Sequence, residues 1–335
     1  MQLSARASRL KSLPPEQMHP VPELLHLRKN QAEAPSLLAL SGALKAQGHY
    51  MLELPLVYWI AVAGVLGLLV GSFLNVVILR LPERMAAAWR QEARDVLELE
   101  ADTTPLPPGI VREPSHCPQC KHPLAARDNI PLFGWLLLRG RCRYCREKIS
   151  IQYPLVELLS GVLSAVIVWK FGPSWAAVAG LVLTWTLIAL SGIDLRTQLL
   201  PDQLTLPLLW LGLLLALLPM FVSAPSAIIG AAIGYLSLWS VYWLFKLLTG
   251  KEGMGYGDFK LLAALGAWMG PVSLLPMILL SSLIGALVGG SLIVLRRHQR
   301  ELPMPFGPFI AAAGWVWFVA GDGLLRGYLQ LSGLR

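Results

Sequence analysis

The sequence predicts an all-α polytopic membrane protein with about eight transmembrane helices and a cytoplasmic insert between helices 1 and 2. Three observations support this fold class. Of the 335 residues, 55% are hydrophobic and only 14% are charged. The mean hydropathy of +0.57 is too high for an ordinary soluble domain. The Lys and Arg residues cluster between long apolar runs, which is typical of cytoplasmic loops in membrane proteins.

The net charge is +8 at pH 7, and in a soluble protein this excess would suggest a nucleic-acid partner. Here the basic residues lie in loops between apolar runs, where they set the orientation of the chain in the membrane. We therefore expect the lipid bilayer as the surroundings of this protein and no nucleic acid as a partner.

The first transmembrane helix is predicted within residues 51–79, where the apolar run Leu56 to Leu79 exceeds the roughly 20 residues that a crossing needs. Residues 80–153 form a polar insert with twelve Lys and Arg residues. The positive-inside rule places this insert in the cytoplasm. The amino-terminal side of the first helix therefore lies outside.

Residues 1–50 are predicted to be a separate tail, either non-native or disordered. They contain no apolar span, and they lack the signal-peptide order of basic start, apolar stretch and small-residue cleavage site. The tail carries six basic residues, which fit poorly with a location outside the membrane. We expect Met51, which opens the first apolar region, as an alternative start of the chain.

Seven further apolar runs lie in residues 154–335, which we assign to a transmembrane core. They are, in order, Leu155 to Trp169, Trp175 to Ile193, Leu204 to Leu218, Ala224 to Leu248, Phe259 to Met269, Val272 to Leu295 and Phe306 to Ala320. The fifth of these is short for the roughly 30 Å of hydrocarbon. We still expect it to cross, because basic loops flank residues 259–295 on both sides and an even number of crossings must separate them.

Four cysteines in the insert are spaced as metal ligands. Cys117 and Cys120 form one CxxC pair, Cys142 and Cys145 form a second, and 21 residues separate the pairs. Two such loops complete a tetrahedron of thiolates with no open position, which indicates structural Zn²⁺. Disulfides are disfavoured in a reducing cytoplasm. The insert is therefore predicted to bind zinc, and because it has few large apolar residues we expect the metal to hold it folded.

Two histidines, His116 and His122, lie beside the first CxxC pair. They are spare ligands by residue type, since histidine nitrogen also binds zinc. Four thiolates already complete the site, so we expect both histidines to be surface side chains.

Two acidic residues lie where apolar helices meet the cytoplasmic side of the membrane. Asp194 directly follows the Trp175 to Ile193 run, and Asp258 opens another apolar helix after Gly255 and Gly257. A carboxylate in such a position is costly to hold, which makes it a functional candidate. Two predicted crossings separate the acids, so both emerge on the same side and can be neighbours.

Neighbouring carboxylates can share one proton, because two like charges a few ångströms apart do not both ionise readily. The ionised acid can then take a proton from water as the water attacks a peptide carbonyl, which the protonated acid polarises. Gly255 and Gly257 would allow the backbone to approach a substrate closely. Asp194 and Asp258 are thus candidate catalytic residues of a peptidase.

Other interpretations of the acids remain open at this point. Intramembrane carboxylates also serve proton relays in transporters, and these two could simply pair with Arg196 and Lys260. Asp202 is a rival partner in the pair. We rank it below Asp194 and interpret it as the cap of the helix that begins near Leu204.

From about Leu56 to its end, the chain resembles the bacterial type IV prepilin peptidases, also called leader peptidases and N-methyltransferases, of the GxGD aspartyl peptidase group. Besides the paired CxxC insert, the matching stretches are Gly71-Ser72-Phe73-Leu74-Asn75-Val76-Val77, Ile149-Ser150-Ile151-Gln152-Tyr153-Pro154-Leu155-Val156-Glu157-Leu158, Ile193-Asp194, Leu200-Pro201-Asp202, Gly253 to Lys260 and Pro305-Phe306-Gly307-Pro308. Together, in this order, these motifs are highly specific.

The resemblance implies a multi-pass enzyme of the bacterial inner membrane, whose catalytic acids match Asp194 and Asp258. Its substrates would be prepilins or pseudopilins, which lose a short basic leader at the cytoplasmic face after a glycine. The new amino terminus would then be methylated with S-adenosylmethionine. Nothing in residues 80–153 indicates where that methyl donor binds, so methylation rests on the resemblance alone.

Two alternatives to the bifunctional enzyme stay open from the sequence: a peptidase that does not methylate, and a proton-coupled transporter that uses the two acids as a relay. The first differs from the bifunctional enzyme only in the mass of the product's amino terminus. The second would move solute with protons and cleave no pilin. The sequence gives no oligomeric state.

Overall fold

The computed structural model describes residues 54–100, 104–111, 113–295 and 304–331. Within these ranges the chain is helical or irregular, with two isolated bridges but no strand, which confirms the all-α prediction. The predicted tail, residues 1–50, lies outside the described ranges, as does Met51.

Nine α-helices occur in the described ranges. In chain order they are α1 (Leu56–Val96), α2 (Phe133–Leu137), α3 (Gln152–Phe171), α4 (Trp175–Thr197), α5 (Asp202–Leu217), α6 (Ala224–Thr249), α7 (Tyr256–Met269), α8 (Leu274–Val294) and α9 (Gly307–Leu331). Short 3₁₀ turns cover Ala126–Asn129 and Pro271–Ser273. Each of the eight predicted apolar runs coincides largely with one of these helices, and α2 lies in the insert.

Five helical segments of the described chain are long and apolar enough to cross a membrane. They are α1, α3, α4, α6 and the segment Pro271–Leu292. Helix α5 and the first part of α9 are apolar but shorter, and α7 has only 14 residues. A membrane protein is therefore confirmed, while the number of eight crossings stays a prediction.

Helix α1 does not end at Leu79, where the polar insert was predicted to begin, but continues to Val96. It contains Pro82, which usually ends or kinks a helix because it removes a backbone hydrogen bond. The residues after Pro82 are rich in Ala, Glu, Arg and Gln, which are strong helix formers. The helix therefore extends from the membrane into the insert.

Arg80 attaches the insert to α1. Its side chain is buried, with the residue only 7% exposed, and the guanidinium donates to three backbone carbonyls of the insert: Gly109 at 2.6 Å, Glu113 at 3.0 Å and Pro114 at 3.1 Å. Arginine suits this arrangement because its planar group carries several donors in fixed directions.

Helix α7 lies at the centre of the helix packing. Every residue from Leu261 to Trp268 is buried, so the helix is covered on all sides by neighbouring helices. Small residues allow this approach: a Cβ at Gly234 of α6 would lie 2.7 Å from the Leu262 carbonyl oxygen. Close packing of this kind is typical of membrane helices, where small residues let backbones meet.

Helices α1 and α3 pack equally closely. A Cβ at Gly71 of α1 would lie 2.7 Å from the Cα of Glu157 in α3. Asn75, one turn further along α1, donates to the Tyr153 carbonyl at the start of α3 at 3.0 Å. These contacts place Glu157 beside α1.

Candidate active site and metal centre

Asp194 lies in the last turn of α4 and is 4% exposed. The helix ends three residues later, where Gln198 adopts a left-handed conformation and donates its backbone N–H to the Asp194 carbonyl at 2.9 Å. The side chain accepts a hydrogen bond at Oδ2 from the backbone N–H of Gly307, at the start of α9, at 2.9 Å. This bond fixes the orientation of the carboxylate.

Asp258 lies in the first turn of α7 and is 7% exposed. A helix amino terminus suits a carboxylate, because its unpaired N–H groups and its dipole both favour negative charge. The two acids lie in neighbouring segments, because Gly257, next to Asp258, and Gly307, which donates to Asp194, both pack against Leu200. The structure thus brings together the two acids that the sequence singled out.

Leu200 packs against Gly257, beside Asp258, and against Gly307, which donates to Asp194. A Cβ at Gly257 would lie 2.7 Å from the Leu200 Cβ, and one at Gly307 would lie 3.1 Å from its Cδ atoms. Gly255 differs, since it has an ordinary extended backbone and open space around its Cα. Close packing therefore requires glycine at 257 and 307, whereas nothing in the described structure requires it at 255.

The alternative pairings considered from the sequence do not occur as proposed. Lys260 pairs with Asp202, through contacts of 2.7 and 2.8 Å to the two carboxylate oxygens, and not with Asp258. Arg196 donates to the side chain of Gln152 at 3.0 Å. Neither basic residue forms an ion pair with Asp194 or Asp258 in the described part of the chain.

The interpretation of Asp202 as a helix cap is wrong. Pro201 takes the N-cap position of α5, and Asp202 is the first helical residue, with no side-chain capping hydrogen bond at this helix start. The carboxylate points instead to Lys260. The N-cap prediction assumed that α5 begins near Leu204, and Pro201 sets an earlier start because its fixed φ angle suits the residue before a helix.

The four cysteines of the insert form one cluster. Their Sγ atoms all lie within 4.8 Å of one another, and the distances are 3.8 Å from Cys117 to Cys145 and 4.0 Å from Cys120 to Cys142. A disulfide would need about 2.05 Å. Tetrahedral ligands with metal to sulfur bonds of about 2.3 Å would lie about 3.8 Å apart. The geometry therefore suits a single metal ion and confirms the predicted cluster.

The two CxxC loops have the same backbone structure. In the first, the Cys117 carbonyl accepts the N–H of Lys121 at 3.0 Å, and in the second the Cys142 carbonyl accepts that of Arg146 at 3.1 Å. Both Lys121 and Arg146 have positive φ angles, 59° and 62°. Each loop thus turns back on itself four residues after its first cysteine and presents two thiols to the same point.

The electrostatics of the cluster favour a bound cation. Backbone hydrogen bonds from Cys145 and Tyr144 lower the pKa of the Cys142 thiol to about 7. At Cys145 a hydrogen bond from the backbone of Glu147 favours the thiolate, but burial and the neighbouring thiols outweigh it and raise the pKa to about 11. The neighbouring thiols thus oppose a second thiolate at Cys145 beside Cys142, and a bound cation would favour both.

The two histidines of the insert do not join the cluster. The ring of His122 is exposed and packs against Tyr144, with centroids 3.6 Å apart. His116 contacts the Pro114 carbonyl at 3.4 Å. The prediction of a surface side chain is confirmed for His122, whereas His116 is half-buried and lines a cavity beside the cysteines.

A cavity of about 500 Å³ lies between the metal centre, the middle of α1 and the start of α3. Its walls include Asn75, Cys142, Glu157 and Arg196, but neither of the paired aspartates. It is therefore a second site, separate from the acids. Sequence reasoning did not predict it.

Sequence reasoning named Glu157 and Gly307 only as parts of matching motifs and gave neither a role. Glu157 is a carboxylate within the apolar run that begins at Leu155, so the rule that selected the two aspartates could have found it. Gly307 was seen only as part of a motif, and no signal in the sequence pairs it with Asp194, 113 residues away.

Comparison with known proteins gives consistent results. Residues 65–171 match the bacterial peptidase A24 N-terminal domain, and residues 181–290 match the type IV leader peptidase family. The chain is 58% identical over 275 residues to a Xanthomonas campestris protein named prepilin leader peptidase/N-methyltransferase, covering 82% of this chain and 96% of that one.

Proteins of the same name show similar agreement in other species. The Aeromonas hydrophila protein is 56% identical over 78% of this chain and 91% of its own length. The Pseudomonas aeruginosa protein is 53% identical over 81% and 93%. No solved structure gives a significant match.

Proposed function

The chain belongs to the type IV leader peptidase family, and we propose that it removes the leader from prepilins or pseudopilins and methylates the new amino terminus. The observation that supports the peptidase part is that two buried carboxylates from different helices, Asp194 and Asp258, have neighbours that pack against the same residue, Leu200. Family membership favours a peptidase over the proton-coupled transporter. The site would lie at the cytoplasmic face of the bacterial inner membrane.

In the proposed mechanism the two acids share one proton. The ionised acid removes a proton from water as the water oxygen attacks the scissile carbonyl carbon, and the protonated acid donates to the carbonyl oxygen. The Gly307 N–H engages Oδ2 of Asp194, so Oδ1 is the oxygen that remains for water or the shared proton. Because the backbone N–H of Gly307 fixes the orientation of the Asp194 side chain, the two acids would already be aligned before the substrate binds.

The proposal is tested with full-length protein in detergent and a purified prepilin. The expected product lacks the leader and, with S-adenosylmethionine present, gains the mass of one CH₂, about 14 Da, at its new amino terminus. Cleavage without that mass change would leave a peptidase that does not methylate. Solute flux coupled to protons in liposomes, with no cleavage, would support the transporter instead.

Asp202 provides the matched control for the catalytic acids. Its carboxylate is half exposed and pairs with Lys260, and exposed ion pairs contribute only about 0–1 kcal/mol. We expect Asp202→Asn to keep cleavage within about fivefold of wild type. The rate of prepilin cleavage measures this. A loss as large as that of the Asp258 variant would make Asp202 a catalytic acid and would displace Asp194 from the pair.

We propose that the four-cysteine cluster binds Zn²⁺ as a structural ion. Four thiolates at tetrahedral spacing fit zinc, and they leave no position for a catalytic water. The module contains few buried apolar side chains besides Cys117 and Cys142. The ion would therefore supply much of its stability.

Replacing the four cysteines by serine is expected to unfold the insert and release zinc. Structural zinc contributes about 10 kcal/mol or more to small modules, which exceeds or matches the stability of many whole domains. Trypsin digestion and the zinc content of full-length protein measure the effect. His116→Ala and His122→Ala are controls that should keep one zinc per chain. A serine variant that lacks zinc but resists trypsin would refute the structural role.

The methyl donor proposed here is S-adenosylmethionine, and the cavity beside the metal centre offers a site of suitable chemistry. Asn75 is 1% exposed, and its Oδ1 atom is buried with no hydrogen-bond partner in the described chain. Such an atom is costly unless a ligand or water pairs with it. When bound, the donor would supply an activated methyl group on a sulfonium sulfur.

A further inference from the structure

We infer that the cavity between the metal centre, the middle of α1 and the start of α3 binds S-adenosylmethionine, with Glu157 facing the sulfonium. This inference rests on the proposed methylation and assigns it to a place in the chain. The volume of about 500 Å³ falls within the range of about 300–1,000 Å³ that small-molecule sites occupy.

The first observation is that Glu157 is a buried carboxylate in the cavity wall. The residue is 7% exposed, and its carboxylate accepts the backbone N–H of Leu132 at 2.8 Å. In the described part of the chain it forms no salt bridge. A buried carboxylate without a cation is costly, so this wall of the cavity is complementary to a ligand with a permanent positive charge.

The second observation is that the side chain of Asn75 is buried and only partly hydrogen-bonded. Its amide nitrogen donates to the Gly71 and Tyr153 carbonyls, which fixes the direction of the side chain and leaves Oδ1 as an unpaired acceptor in the described chain. The same residue lines the cavity. Asn75 therefore gives the cavity a polar wall beside the start of α3.

Trp135 and Arg196 also line the cavity and add an aromatic ring and a positive charge to its walls. The Trp135 ring is held by a hydrogen bond from its Nε1 to the Ile149 carbonyl at 3.2 Å, and a fixed indole offers a flat face on which adenine can stack. Arg196 lines the cavity and carries the positive charge that the ligand's carboxylate requires. The same walls also carry Arg80, Lys121, Arg143 and Lys148, so Glu157 is the group that would favour the sulfonium end of the ligand and the basic residues would favour its carboxylate.

The position of the cavity also suits a second reaction on the same substrate. Arg196 follows Asp194 by two residues on α4, so the two side chains point to nearly opposite sides of the helix, about 200° apart. The paired acids and the cavity therefore flank the end of one helix. A newly cleaved amino terminus would have only to pass from one side of α4 to the other.

In the reaction, the amine of the new terminus first releases a proton to solvent. Its nitrogen lone pair then attacks the methyl carbon, the N–C bond forms as the C–S bond breaks, and the electron pair remains on sulfur to give S-adenosylhomocysteine. The positive charge thus moves from sulfur to the methylated amine. Glu157 would stabilise the charged ligand and not the neutral product.

The test compares binding of S-adenosylmethionine and S-adenosylhomocysteine to full-length protein in detergent by calorimetry. Glu157→Gln keeps the side chain's size and an oxygen that can accept the Leu132 N–H, but it removes the charge. We expect affinity for S-adenosylmethionine to fall about tenfold or more, and affinity for the neutral thioether to change less than about threefold. Thermal unfolding of the variant checks that it is folded.

Two further variants show whether the loss of affinity arises in the cavity. Glu92→Gln removes the same charge from an exposed residue of α1 outside the cavity walls and should leave both affinities unchanged. Val76→Phe fills space at the cavity wall and should weaken both ligands together. If Glu157→Gln and Val76→Phe both bind S-adenosylmethionine like wild type while the wild type methylates pilins, the cavity assignment is refuted and the proposed function stands. A wild type that binds neither ligand and adds no mass to cleaved pilin refutes the proposed methylation itself.

Discussion

Asp194→Asn and Asp258→Asn are each expected to lower the rate of prepilin cleavage by about 10³-fold or more, because acid and base catalysis by a positioned group contributes about 10²–10⁴ and here one proton is shared by both. Asparagine keeps the size of each side chain but cannot exchange that proton. The initial rate of leader removal by purified variants measures the effect.

The double variant shows whether the two acids act as one unit. Groups that do so are not additive, so Asp194→Asn combined with Asp258→Asn should be no slower than either single variant. Zinc content should stay at the wild-type value, since the cysteine cluster is a separate centre. Full activity in either single variant would remove that acid from the mechanism, and additive losses would show that the two act independently.

The second large effect is expected at Gly307. A Cβ there would lie 2.7 Å from Oδ2 of Asp194 and 3.1 Å from Leu200, so Gly307→Ala must displace the carboxylate or the start of α9. Misplacement of a reacting group by about 1 Å costs about 100-fold in rate. We expect kcat to fall by about that factor with little change in KM, since the residue orients a catalytic acid.

Gly323→Ala is the matched control for Gly307. It lies in the same helix, and a Cβ there meets nothing within 4 Å, so cleavage should be unaffected. Overpacking costs about 1–3 kcal/mol, and thermal unfolding of the Gly307 variant will show how much of the effect is stability. A folded Gly307→Ala enzyme with wild-type kcat would show that the Gly307 contact does not position Asp194.

The apolar runs and the cysteine spacing were readable from the sequence because each is a local pattern. A run of apolar side chains needs no knowledge of its neighbours to be recognised as helix in a membrane, and two CxxC pairs carry their own ligand geometry. The meeting of Asp194 and Asp258 followed from counting crossings between them. Their location on one side of the membrane rests on the parity of basic loops and stays a prediction.

The features that sequence reasoning missed depend on contacts between distant segments. Asp202 can pair with Lys260 only once α5 and α7 have packed together, and Gly307 donates to Asp194 although 113 residues separate them in the sequence. The extent of α1 was underestimated because Pro82 and a change to polar composition both suggest a boundary, whereas helix propensity beyond Pro82 prevails. The cavity arises from the fit of the insert against α1 and α3, which no local pattern encodes.

Helix α1 continues without a break from the membrane span into the insert. Its 41 residues correspond to a helix about 62 Å long at 1.5 Å per residue. The side chain of Arg80 holds the following loop against this helix through its hydrogen bonds. An exchange of this insert between relatives would have to carry the loop carbonyls that receive Arg80. A transplanted segment that began at the first cysteine would lack the loop carbonyls that accept the hydrogen bonds of Arg80.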